Sequence, residues 1–254
     1  MNQAMIVGNW KMHGSKASVT SLLQTLIKNH DPVWKVNLVV LVPSVFLDLT
    51  QHVLTGTPIS WGAQGVSEHD NGPYTGEISA AMLLELGCRY VLVGHSERRS
   101  LYGETDAVVA LKFVAAAHAG LTPILCVGET LAERERGQPE QVIRQQLDAV
   151  MGHEAGLLAM RRDPVIAYEP VWAIGTGLAA SPEQAQAMHA AIREHIAFYD
   201  KGLAVRLKIL YGGSMKASNA AALFAMPDIN GGLVGGASLS AGEFLEIGRL
   251  CNNY

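Results

Sequence analysis

The sequence predicts an α/β fold, a single-domain (β/α)8 barrel. Short apolar runs of strand length alternate with helical periodicity eight times along the chain. No linker-like or low-complexity segment interrupts the alternation, so one domain is expected over residues 1–254. That length suits one closed barrel, and strands joined by helices run parallel.

Met5 to Trp10 reads as the first strand, ending in Gly8-Asn9-Trp10-Lys11. Ser15 to Asn29 has helical spacing (Val19, Leu22, Leu23, Leu26, Ile27), and Asp31-Pro32 closes it. Leu38 to Val42 is the second strand, and Pro43-Ser44 open a helix through Leu54. Ile59 to Gln64 is the third, followed by a long polar stretch from Gly65 to Glu77 and a helix over Ser79 to Leu86. Tyr90 to Val93 is the fourth, ending in Gly94-His95-Ser96-Glu97-Arg98-Arg99, with a helix from Thr105 to Ala119. Pro123 to Val127 is the fifth, and the helical stretch Leu131 to Met151 after it breaks near Gly137-Gln138-Pro139. Val165 to Tyr168 and Leu207 to Tyr211 are the sixth and seventh, with helices over Pro182 to Tyr199 and Ala217 to Ala225. Leu233-Val234 is the eighth, and a last helix lies near Gly242 to Leu250. An open doubly wound sheet is the competing fold. Its dinucleotide fingerprint should follow the first strand, and Gly8-Asn9-Trp10-Lys11 is not that pattern.

Composition narrows the function. Apolar residues make up 49% of the chain, enough for a large core. The net charge of -4, with signs mixed, points away from nucleic acid and from an anionic membrane. Cys88, Cys126 and Cys251 are odd in number and far apart, which is neither a disulfide framework nor zinc spacing and suits a reducing cytosol. The start, Met1 to Met5, lacks the basic and apolar regions of a signal peptide. No apolar run approaches the roughly 20 residues of a membrane helix, so a cytoplasmic location is expected.

The stretch Tyr168 to Gly177 stands out. Pro170 has no N–H and biases Glu169 toward an extended conformation, fixing a carboxylate just beyond a strand. The following Val171, Trp172, Ala173 and Ile174 are apolar and need cover, while Gly175-Thr176-Gly177 can bring backbone N–H groups close to a ligand. Leu178, Ala179 and Ala180 lead to Ser181-Pro182, a helix start. Pro170 through Ala180 thus reads as a hinged lid over a general base. A packed loop with a solvated Glu169 is the bland alternative. Asn9, Lys11, His95, Glu97, Ser214, Gly235 and Gly236 also sit at C-terminal strand ends, which converge on one face of a barrel. Taken singly they are a solvated lysine, a structural histidine or tight turns; their joint placement is harder to explain that way. Glycine turns after the seventh and eighth strands offer N–H groups to a dianion, with Lys11 near. Glu169 can abstract a proton beside a carbonyl, and His95 and Asn9 can donate to the oxygen that gains charge. This describes proton transfer on a small phosphorylated carbonyl compound, with no metal or cofactor motif.

The sequence resembles the triosephosphate isomerase family along nearly its whole length. The match is carried by Gly8-Asn9-Trp10-Lys11, Thr75-Gly76-Glu77, Val93 through Arg99, Cys126-Val127-Gly128-Glu129-Thr130, Ala167 through Gly177, Tyr211-Gly212-Gly213-Ser214 and Leu233 through Ser238. The resemblance implies a TIM barrel that interconverts dihydroxyacetone phosphate and glyceraldehyde 3-phosphate in glycolysis and gluconeogenesis without a cofactor. That family's established scheme, carried over here, makes Glu169 the base and neutral His95 the electrophile. It further implies that Lys11, paired with Glu97, and Asn9 stabilise the intermediate. Gly175, Ser214, Gly235 and Gly236 would hold the phosphate, Ile174 and Leu233 would clamp over Glu169, and Tyr211 would latch the lid. A homodimer is implied too, with the loop carrying Tyr74, Thr75 and Gly76, next to Gln64, inserting beside the partner's Asn9 and Lys11. His13 and Pro73 depart from the bacterial pattern of Asn and Ala. Two other classes compete. A Schiff-base aldolase would need Lys208, but that lysine lies at the start of its strand, far from the active face. A catalytically dead scaffold would be free to lose Glu169 or His95, and both are present.

Overall fold

Asn9, the glycine pairs and Glu169 can share one face because every strand ends in the same direction. The computed structural model describes residues 3–175 and 179–253. Its strands are Met5–Asn9 (β1), Asn37–Val42 (β2), Ser60–Ala63 (β3), Tyr90–Val93 (β4), Thr122–Val127 (β5), Val165–Tyr168 (β6), Lys208–Tyr211 (β7) and Gly231–Val234 (β8). Each pairs in parallel with its sequence neighbour, and β8 closes on β1 with Met5 opposite Gly231. The expected closed barrel is therefore the observed one.

The helices form the outer ring. In order they are Lys16–Asn29 (α1), Leu47–Leu54 (α2), Ala80–Glu85 (α3), Ser96–Tyr102 (α4), Asp106–Ala119 (α5) and Leu131–Glu135 (α6). Pro139–Met151 (α7), Glu154–Met160 (α8), Pro182–Tyr199 (α9), Lys201–Arg206 (α10), Ala217–Phe224 (α11) and Ala241–Cys251 (α12) complete it. The break at Gly137 to Pro139 separates α6 from α7 as expected. The short α4, α8 and α10 were not anticipated. Helices under two turns carry too little periodicity to read and owe their stability to packing. Strand β8 begins two residues earlier than expected, at Gly231, which pairs with Met5 of β1 and lies so close that a Cβ there would sit 1.8 Å from the Met5 carbonyl oxygen. Among the described residues, no helix is long and apolar enough to cross a membrane.

Two apolar layers result from the strand period of two. Ile6, Val40, Val91, Leu125, Ile166 and Ile209 face outward onto the helices. Met5, Val7, Val39, Leu41, Tyr90, Leu92, Ile124, Cys126, Val165, Ala167, Leu210 and Leu233 fill the barrel. The next inward positions along β1, β6 and β8 are Asn9, Glu169 and Gly235. The alternation that packs the barrel thus delivers polar groups to its mouth.

Candidate active site

A cavity of about 460 Å³ opens at the C-terminal ends of the strands and is lined by Asn9, Lys11, His95, Glu169, Ile174, Gly175, Ser214, Leu233, Gly235 and Gly236. A larger cavity of about 700 Å³ lies at the opposite end, around Ala4, Asp228 and Asn230. Its charged side chains are committed: Arg193 donates to Asp228, Asn230 and two carbonyls. The smaller one is the candidate active site. Every expected substrate or phosphate residue is brought to it. Thr176, Gly177 and Leu178 of the expected lid lie outside the described residues.

Glu169 is buried beyond β6, with a backbone N–H bond to Val127 O at 2.8 Å. One carboxylate oxygen, Oε2, accepts from Ser96 N at 2.8 Å. The other, Oε1, lies 3.0 Å from His95 Nε2. The backbone around it is close-packed. A Cβ on Gly128 would fall 1.7 Å from the Glu169 carbonyl oxygen, so only glycine fits there.

His95 reaches the cavity because Gly94 breaks the strand period. Residue 94 would point inward after Tyr90 and Leu92, but Gly94 turns at φ 71, and His95 becomes the N-cap of α4. Its Nδ1 accepts from Glu97 N at 3.2 Å, which places the proton of the neutral ring on Nε2, facing Glu169. Burial lowers the His95 pKa, yet the Glu169 and Glu97 carboxylates outweigh it, and the net direction is upward. The Glu97 N–H opposes this, because a doubly protonated ring would set two donors face to face.

Lys11 adopts φ 50, an uncommon conformation for a side-chain-bearing residue. Two side chains hold it there. Lys11 N donates to Asn9 Oδ1 at 3.0 Å, and Gln64 Nε2 donates to Lys11 O at 2.9 Å and to Leu41 O at 3.0 Å. Lys11 Nζ lies 2.5 Å from Glu97 Oε1. With Oδ1 engaged, the Asn9 amide NH2 is the end left to donate into the cavity. Gln64, expected in the dimer loop, thus braces Lys11 of its own chain.

At the entrance, Pro170 leads into a single 3-10 turn, Val171–Ala173. Trp172 Nε1 donates to Glu129 Oε1 at 2.9 Å. The fully buried Glu129 also accepts from Tyr168 and Arg134. Tyr211 OH accepts from Ala180 N at 3.2 Å, at the far end of the same segment. Sequence reasoning gave no role to Glu129 or to the Ser96 N–H. The only signals for them were neighbourhoods, a block after β5 and a position next to His95.

A family model described as triosephosphate isomerase matches residues 4–251. The chain is 58% identical over 249 residues to the triosephosphate isomerase of Thiobacillus denitrificans, covering 98% of each chain. It is 56% identical over 252 residues to that of Dechloromonas aromatica, covering 99% of this chain and 100% of the other. For the enzyme of Nitrosococcus oceani the identity is 54% over 247 residues, with 97% and 98% covered. A parallel barrel whose mouth joins carboxylate, imidazole, lysine and glycine turns, together with full-length identity at this level, leaves one assignment: the chain belongs to the triosephosphate isomerase family.

Proposed function

We propose that the chain is an intramolecular aldose-ketose isomerase that interconverts dihydroxyacetone phosphate and D-glyceraldehyde 3-phosphate through an enediolate, serving glycolysis and gluconeogenesis. The observation that carries this reading is the pairing of the buried Glu169 carboxylate with His95 Nε2, 3.0 Å away, in the wall of the cavity of about 460 Å³. Glu169 is the base that moves a proton between adjacent carbons. Its buried carboxylate faces the cavity beside His95 Nε2, where a substrate carbon can reach it. His95 donates from Nε2 to the oxygen that gains charge, since its Nδ1 already accepts from the α4 backbone. Lys11 adds positive charge there, positioned by Glu97, and Asn9 donates from its amide. Gly175, Ser214, Gly235 and Gly236 bind the phosphate through backbone N–H groups. Residues Pro170 to Ala180 close over the site as a lid, with Ile174 and Leu233 as apolar cover.

The whole chain, residues 1–254, acts as one barrel domain in a cytoplasmic homodimer. The dimer is supported by exposed apolar side chains on the segments after four successive strands: Met12 after β1, Val45 after β2, Tyr74 and Met82 after β3, and Leu101 after β4. These strand ends are adjacent in the barrel, so the side chains fall on one side of its mouth.

The direct test is a coupled assay with glyceraldehyde 3-phosphate, run beside Glu169→Asp. That variant withdraws the carboxylate by one methylene, and a misplacement near 1 Å costs on the order of 100-fold. The expected result is efficient wild-type turnover, with kcat falling about that much and KM little changed. An inactive wild type refutes the activity, and near-normal turnover of Glu169→Asp removes Glu169 from the role of base.

A further inference from the structure

Lys216 lines the cavity beside Ser214, is exposed, and makes no ion pair with any carboxylate among the described residues. Its position breaks a local rule. It is the N-cap of α11, with φ -138 and ψ 165 and no side-chain cap hydrogen bond. Ser, Thr, Asp and Asn are the residues favoured there, because a side-chain oxygen can accept from the first helical N–H groups. A cation at that end also opposes the helix dipole. Other side chains do the capping that Lys216 cannot: Glu243 Oε1 accepts from Ala217 N, the first N–H of α11, at 2.7 Å, and Asn219 ties down the turn before it. Its Oδ1 accepts from Lys216 N at 2.9 Å, and its Nδ2 donates to Ser214 O at 3.1 Å. A lysine at odds with its own helix, at the rim of a ligand cavity, points to a ligand rather than to the fold.

The charge balance of the site says which ligand. The other lysine in the lining, Lys11, is 2.5 Å from Glu97, and Glu169 stands in the same wall. Lys11 is thus offset by its Glu97 partner, which lies outside the lining, and Glu169 adds a negative charge, in a chain whose net charge is -4. These side chains by themselves repel a dianion. We propose that Lys216 is a specificity-determining residue, which draws the phosphate end of the substrate into the cavity and holds it there by charge. The inference rests on the function proposed above and adds a side-chain cation to the backbone phosphate site.

The test compares wild type, Lys216→Ser and Lys216→Arg by steady-state kinetics at low and high ionic strength, by calorimetric titration with inorganic sulfate, and by thermal melts. At ~0.01 M ionic strength, where screening reaches roughly 30 Å, Lys216→Ser is expected to raise KM about three- to ten-fold and to weaken sulfate binding in parallel. The effect on kcat stays within about two-fold, since the charge acts on entry and hold. At ~0.3 M the difference contracts. Serine is the better cap, so the melting temperature is unchanged or higher, and Lys216→Arg restores KM. Unchanged KM and unchanged sulfate affinity at low salt overturn the inference. So does a drop in kcat together with melting temperature, which assigns Lys216 to the fold. An inactive wild type refutes the isomerase reading instead, and the sulfate titration then still decides whether Lys216 holds an anion.

Discussion

Two buried histidines, 94 positions apart, show how a residue's surroundings set its chemistry. His95 sits among carboxylates and is pulled upward. His189 is fully buried on α9, its ring edge-on to Tyr168 with centroids 5.7 Å apart, and among the described residues no carboxylate pairs with it. Burial pushes its pKa from 6.5 down to about 4, against the raising effect of the Asp228 carbonyl near Nδ1. A folded pKa below the unfolded one means that the unfolded chain binds the proton first. Stability is therefore full above 6.5 and is lost as pH falls from 6.5 toward 4. Between pH 7 and pH 5 the expected loss is about 2 kcal/mol. His189→Phe keeps an aromatic ring and removes the titration. Urea unfolding at the two pH values should show a smaller loss for the variant by about that amount, and equal losses would discount His189 as the source.

The segment proposed as a lid is anchored near both ends by side chains of the barrel. Trp172 bonds to the buried Glu129 near its start, and Ala180 N bonds to Tyr211 OH near its end. Between the anchors lie Ile174 and Gly175, which line the cavity. Deleting Ile174 through Thr176 removes the apolar cover and part of the phosphate grip while leaving the anchors. An enediol phosphate that meets water or escapes can eliminate its phosphate. The deletion is expected to slow isomerisation and to release methylglyoxal and inorganic phosphate from dihydroxyacetone phosphate, measured by phosphate assay. Slow isomerisation without phosphate release would count against the lid as a shield. Tyr211→Phe removes one anchor without disturbing the cavity wall. It should lower turnover by several-fold, the scale of one lost hydrogen bond of about 1 kcal/mol, and unchanged turnover would show the latch to be idle.

At the scale of the whole molecule, the loop from Gly65 to Glu77 is the segment on which the proposed dimer can be tested. It has no strand or helix of its own. It is shaped by local contacts: His69 stacks on Tyr74 at 3.7 Å, and Glu77 N bonds to Tyr74 O at 3.0 Å. An ordered loop with an exposed tyrosine at its turn suits insertion into a second subunit. Thr75→Glu puts a charge into that contact, where an unpaired buried charge is strongly unfavourable. Light scattering should find a mostly monomeric, folded protein, with turnover reduced because the partner's loop no longer packs beside Asn9 and Lys11 and only Gln64 of the same chain steadies that segment. A monomeric variant with full turnover, or a monomeric wild type, would separate the loop from the site.

Chain-local physics made much of this legible in the sequence. Short apolar runs such as Met5 to Val7 and Val165 to Ala167 read as strands, and Asn9 and Glu169 stand at the ends of those strands. Pro170, Gly175 and the glycine pairs are legible because proline and glycine restrict or free the backbone whatever surrounds them. The helices α4, α8 and α10 were not, since short helices are held by packing and leave no periodic trace. Nor was the support of the site. That Ser96 N holds Glu169, that Gln64 steadies Lys11, and that Glu129 anchors Trp172 depends on contacts across 73, 53 and 43 positions of chain. The sequence alone determined which groups can do the chemistry and which strand end carries each. Only the tertiary structure decided their partners, protonation and burial, because a hydrogen bond or a desolvated charge is a property of distances between segments, and the chain's own order does not contain them.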